Sequence, residues 1–116
     1  VLTSMAEKDL LEVGINNNLA EHVVNLANLA HNSGLDGVVC SAEETKLLRA
    51  SLSSSFKLVT PGIRRTQDSA GDQKRVITPS EAILNGSDFL VVGRPITRAS
   101  SPCDALIEFN SEIADL

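Results

Sequence analysis

Three short motifs in the second half of the chain pair glycine with guanidinium or amide groups, the combination needed to hold a small anion. Gly93-Arg94-Pro95 directly follows the apolar run 88–92. A glycine there lets a ligand come close to the backbone, because no Cβ intrudes. Arg94 supplies a rigid fork of donors that matches a phosphate. Gly71-Asp72-Gln73 offers a side-chain amide that can donate to a phosphate oxygen without adding charge, and Pro61-Gly62-Ile63-Arg64 ends the run 56–60 with a turn and a second arginine. Each motif also has an ordinary reading: a strand-ending turn with a surface arginine, a polar loop tip, a strand-to-loop turn. Together they say more. All three lie at the carboxyl ends of two consecutive strand-like runs or in the segment between them, where parallel α/β proteins bind ligands. A phosphoester ligand is therefore the chemistry to expect. A fourth pair, Thr3-Ser4, could hydrogen-bond a base or cap the helix that follows.

Composition narrows the partners. The 116 residues are 42% hydrophobic and 22% charged, with a formal net charge of −5. That balance suits one small globular domain, residues 1–116, and argues against nucleic acid or an anionic membrane as partner. Yet six of the ten basic residues, Arg64, Arg65, Lys74, Arg75, Arg94 and Arg98, fall between positions 61 and 98. Local positive charge in an acidic chain fits a small anion, though a solvated charged face would look the same. No stretch approaches the roughly 18 apolar residues of a membrane span. Cys40 and Cys103 are too far apart for a CxxC metal site or a disulfide framework, which suits a reducing, cytoplasmic compartment. His22 and His31 lack a carboxylate or cysteine at ligand spacing, so no metal is expected.

The elements that must position these groups alternate short apolar runs with amphipathic segments. Residues 6–13 read as a short helix closed by Gly14. Residues 19–33 read as a longer one, with Leu19, Val23, Leu26, Ala27 and Ala30 on one face and Gly34 just past its end. The run 37–40 fits a buried parallel strand. Ser41 and Glu44 form a capping box for a helix over 42–52, 56–60 is a second strand, and 61–77 shows no period. An irregular stretch of that length in a compact domain usually covers something. Thr78-Pro79-Ser80-Glu81 starts a helix, 88–92 is a third strand, and Ser101-Pro102 starts a last helix with Leu106, Phe109 and Ile113 facing inward. The opening Val1-Leu2-Thr3 reads as the tail of a strand, as in a piece of a longer protein. This order predicts an α/β fold with a parallel sheet, with too few units to close an eight-stranded barrel alone.

The motifs taken in order resemble the orotidine 5′-phosphate decarboxylase family, its bacterial branch best. The similarity runs through Val1-Leu2-Thr3-Ser4, Gly34-Leu35-Asp36-Gly37-Val38-Val39-Cys40-Ser41, Leu58-Val59-Thr60-Pro61-Gly62-Ile63-Arg64, Gly71-Asp72-Gln73-Lys74-Arg75, Thr78-Pro79 and Gly93-Arg94-Pro95-Ile96-Thr97. The resemblance implies the C-terminal part of a (β/α)8 TIM barrel, from the end of strand 5 through helix 8. It implies that Arg64, Gln73 and Arg94 hold a nucleotide phosphate beside the Gly93 backbone. Thr3 would contact the pyrimidine ring, with Ser4 nearby, and residues 62–77 would form a lid. It further implies conversion of orotidine 5′-phosphate to UMP without metal or organic cofactor, in an enzyme that is typically a homodimer. Arg65 departs from the family, which commonly has proline there. The larger departure is chemical: the family's DxKxxDI-type motif is absent, so no catalytic residue is expected within these 116 residues. Two other readings remain at this point, a sugar-phosphate synthase type of barrel enzyme and a non-catalytic half-barrel.

Overall fold

A computed structural model of the chain describes residues 1–68, 71, 75–114 and 116. Helices α1 (Glu7–Glu12) and α2 (Leu19–Asn32) precede strand β1 (Gly37–Val39). A 3-10 turn (Ala42–Glu44) leads into α3 (Thr45–Ser51), followed by β2 (Lys57–Thr60), α4 (Pro79–Leu84), β3 (Phe89–Leu90), α5 (Arg94–Thr97) and α6 (Pro102–Ile113). The strands form one parallel sheet in the order β1-β2-β3, as the α/β reading expects.

Local sequence sets the helix ends. At the start of α2 the Asn18 carboxamide oxygen accepts the Glu21 amide at 2.8 Å. At its end Gly34 adopts φ +83°, and the Gly34 and Leu35 amides donate back to the His31 and Ala30 carbonyls at 3.0 and 3.1 Å. Those two bonds satisfy carbonyls that the helix would otherwise leave open. The capping boxes at Ser41/Glu44 and Thr78/Glu81 both form.

The sheet has two unlike faces, because successive side chains point to opposite sides. Leu58 and Thr60 are fully buried. Leu58 packs with Val23, Ala27 and Leu48 from α2 and α3, while Leu90 packs with Ala82 and Phe109 from α4 and α6. On the other face, Val39, Val59 and Phe89 are in register across all three strands. Val39 and Phe89 are 55% and 57% exposed there. The molecule is accordingly a slab, 42 × 33 × 19 Å.

Several sequence expectations need correcting. Val1 and Leu2 are not paired in a strand, and residues 3–4 form a turn. The Met5 amide closes it onto the Leu2 carbonyl at 3.0 Å. The third strand is shorter than 88–92, although the Val91 amide still reaches the Thr60 carbonyl at 2.9 Å. Among the described residues it has a sheet partner on one side only. Leu26 and Leu106, expected inward, are 44% and 47% exposed. Leu26 lines a groove with Val38 and Val39, and Leu106 one with Phe89 and Leu90, so both border outer strands that have no further strand beside them among the described residues. The helix expected over 42–52 begins as a 3-10 turn, and α5 appears where only a strand break was expected. The aperiodic segment contains a parallel bridge, Ile63 with Ile77. Among the described residues no helix is long and apolar enough to cross a membrane.

Candidate functional site

Two strand ends and one loop build the site. β2 leads through Pro61 into Gly62, whose φ of +80° suits glycine. A Cβ at Gly62 would stand 2.6 Å from Thr3 Cγ2 and 3.0 Å from the Arg75 carbonyl oxygen, so any side chain there would also force the backbone apart. The turn buries Ile63 completely and leaves Arg64 only 7% exposed. The Arg64 amide donates to the Ile77 carbonyl at 3.0 Å, and its Nη1 donates to the Ile63 carbonyl at 2.7 Å. Three residues past the end of β3, the Gly93 carbonyl accepts the Ile96 and Thr97 amides and so starts α5. Arg94 is the first residue of that helix, and Pro95 is tolerated in its first turn.

Arg64, Asp68, Gly71, Arg94, Pro95 and Arg98 line one cleft of about 200 Å³. Gly71 closes on Arg94: a Cβ built at Gly71 would lie 3.2 Å from Arg94 Nη1. The cleft is smaller than the roughly 300–1,000 Å³ of a drug-sized ligand pocket. It suits the anionic end of a ligand better than a whole nucleotide. Asp68 is the acidic member of the lining. Burial works to raise its pKa, but hydrogen bonds from the Arg65 side chain and amide and the charges of Arg65 and Arg64 outweigh it. Its carboxyl therefore stays below the usual range and is ionised at neutral pH.

The residues flanking the cleft are held by ion pairs. Arg65 donates to Asp68 through its amide at 2.8 Å and its side chain at 3.1 and 3.2 Å. It also pairs with Glu108, and its guanidinium lies 4.6 Å above the Phe109 ring. Arg65 thus clamps the loop to α6. On the returning limb, Arg75 pairs with the buried Glu44 and donates to the Leu2 carbonyl at 2.9 Å. Its Nε is buried without a hydrogen-bond partner among the described residues. Burial pulls the Arg75 pKa down, partly offset by Glu43 and Cys40. Cys40 itself is buried, and desolvation outweighs nearby arginines to push its thiol up to about 11. It is a packing residue and no nucleophile at neutral pH.

The structure therefore brings two of the expected residues, Arg64 and Arg94, to one cleft. Gln73 lies outside the described residues. Gly93 precedes the cleft wall without lining it. Thr3 is buried, 3% exposed, beneath Gly62, and does not line the cleft. Sequence reasoning missed Asp68 and Arg98 as members of the site. Arg98 had a signal: it stands four residues after Arg94, one helical turn away, but no helix was expected there. Among the described residues, no group of His, Cys, Asp and Glu is placed to hold a metal ion.

Comparison with known proteins gives a consistent answer. A family model described as orotidine 5′-phosphate decarboxylase / HUMPS family matches residues 1–109. The chain is 53% identical over 116 residues to an orotidine 5′-phosphate decarboxylase of Actinobacillus succinogenes, covering all of this chain and 50% of that protein. It is 54% identical over 114 residues to the same-named protein of Vibrio atlanticus, covering 98% and 49%. The crystal structure of orotidine 5′-phosphate decarboxylase from Lactobacillus acidophilus superimposes with a TM-score of 0.79 at 40% identity, over 97% of this chain and 46% of that one. The chain thus spans about half the length of the relatives it matches.

Proposed function

The chain belongs to the orotidine 5′-phosphate decarboxylase / HUMPS family, and from that premise we propose that it is the phosphate-gripping half of an enzyme converting orotidine 5′-phosphate to UMP and CO₂. The observation that carries this is the shared cleft of Arg64 and Arg94, with Gly71 closed against Arg94. Two guanidiniums on consecutive strand ends suit a phosphate monoester. Gln73 joins them as a neutral donor, with the Gly93 backbone alongside. Thr3, set against Gly62 two residues before Arg64, contacts the pyrimidine ring. The segment 62–77 is the lid, stemmed at both ends by the Ile63–Ile77 bridge.

In this proposal the chain is the closing portion of a (β/α)8 barrel, from the end of strand 5 through helix 8. Two features support it. Parallel sheets are normally covered on both faces, and here the aligned row Val39, Val59 and Phe89 leaves Val39 and Phe89 more than half exposed among the described residues. A barrel's interior would cover them. The chain also carries no DxKxxDI-type motif, so the proton-transferring lysine and its aspartates belong to the other half. The complete enzyme is a homodimer needing no metal or organic cofactor. Its mechanism uses phosphate binding, remote from the reacting carbon, to drive lid closure and order the charged groups around the orotate carboxylate.

The test replaces Arg94 by alanine within a full-length homologue carrying this segment and measures kcat/KM for orotidine 5′-phosphate. The expected loss is several kcal/mol of transition-state binding. A loss below about tenfold, or ~1.4 kcal/mol, would overturn the assignment.

A further inference from the structure

We propose that Arg98 is a third anion-binding group of the cleft, beside Arg64 and Arg94; this deepens the reading above and rests on it. Arg98 lines the cleft with Arg64 and Arg94. It caps α5, its amide donating to the Arg94 carbonyl at 3.0 Å. Residues four apart on a helix share a face, so one short helix aims two guanidiniums at one space.

A phosphate monoester carries about −1.5 to −2 at neutral pH, and Asp68, the acidic member of the lining, is already held by Arg65. Arg98 adds a further cation to the same lining. Other arginines nearby are already committed to carboxylates: Arg65 to Asp68 and Glu108, Arg75 to Glu44, Arg49 to Asp88. Arg98 is in no ion pair among the described residues. Its side chain is exposed, so its contribution is screened by water and smaller than that of the buried Arg64.

The test titrates inorganic phosphate, and separately UMP, into the 116-residue chain followed by NMR, for the wild type, Arg98→Gln and Arg98→Lys. Arg98→Gln should weaken phosphate binding about three- to tenfold, the range for a charged donor discounted for exposure. Arg98→Lys should recover most of the loss, and the urea midpoints of all three should coincide. Phosphate affinity of Arg98→Gln within twofold of wild type would overturn the proposal. The nucleotide reading would survive that result wherever UMP binding still required Arg94. If phosphate binding does need Arg98 but UMP binds no tighter than phosphate, the nucleotide reading fails and Arg98 stands. Absence of saturable phosphate binding to the wild type would overturn the Arg98 proposal outright.

Discussion

At Asp88, one carboxylate accepts the Leu58 amide at 2.8 Å, pairs with Arg49 and reaches Lys57 Nζ at 3.4 Å. Arg49 in turn donates through Nε to the Gly86 carbonyl at 2.9 Å. The group lies at the amino ends of β2 and β3, the end of the sheet opposite the anion cleft. Burial works to raise the Asp88 pKa, but the Leu58 amide, Arg49 and Lys57 outweigh it and hold it below the usual range. A depressed carboxylate stabilises the fold above its unfolded pKa of about 3.9, and that stability is lost as pH falls through the folded value. Asp88→Asn should therefore cost about 1–3 kcal/mol at pH 7, the range for hydrogen bonds to a charged group. The gap to wild type should narrow below about pH 4 and close once the folded carboxylate is protonated. Urea denaturation across pH measures this, and a gap that stays constant through the acid range would refute it. The same scale shows what residue types alone disclose. Arg64 and Arg94 stood out only because their motifs follow two consecutive strands, each alone having an ordinary reading as a strand-ending turn. Asp68 did not, since its place depends on Arg65, and the Arg65 clamp reaches a glutamate 43 positions away.

The loop from β2 to α4 is the element on which binding would turn, and its two limbs are held by ion pairs of unequal quality. Arg75 and Glu44 are 11% and 6% exposed in their side chains, whereas Arg65 at 13% meets a Glu108 that is 63% exposed. Removing one partner of a buried pair leaves an uncompensated charge and costs about 3–5 kcal/mol. An exposed pair is worth about 0–1 kcal/mol. Glu44→Gln keeps an acceptor for the Ser41 amide, which the carboxylate now takes at 3.1 Å, yet it strands Arg75. It should lower the urea midpoint strongly, while Glu108→Gln should scarcely move it. Equal effects from the two substitutions would show that burial does not rank these pairs. The helices flanking this loop were readable from local rules: Thr78 with Glu81 and Ser41 with Glu44 declared their caps. The loop itself was not, because its order comes from Ile63 meeting Ile77 and Arg75 meeting residues near the chain start. Such contacts leave no period in the sequence. The α5 helix escaped notice for a related reason, being a single turn whose only local sign is a proline in its first turn.

Over the whole molecule, strand order and one covered face followed from apolar runs alternating with amphipathic segments, but the sequence pattern could not say which face lacks a cover. Short parallel strands read as wholly apolar whether a second helix layer or a barrel interior lies beyond them. Among the described residues Val39, Val59 and Phe89 stand in a row, and its two outer members, Val39 and Phe89, are more than half exposed. Leu26 and Leu106 border the two outer strands, and Val91 is 49% exposed. Unpaired strand edges beside an apolar face invite association with another chain. The 116-residue chain should accordingly grow in apparent size as its concentration rises through the micromolar range, about where exposed edges begin to associate. Phe89→Lys places a charge on both the edge and the row. It should shift the protein toward monomer without disturbing Leu90, whose side chain packs with Phe109 on the opposite face. Sedimentation velocity over a dilution series measures this. A wild-type chain that stays monomeric at every concentration would mean that the row is satisfied in solution, and the barrel-interior interpretation of that face would lose its physical basis.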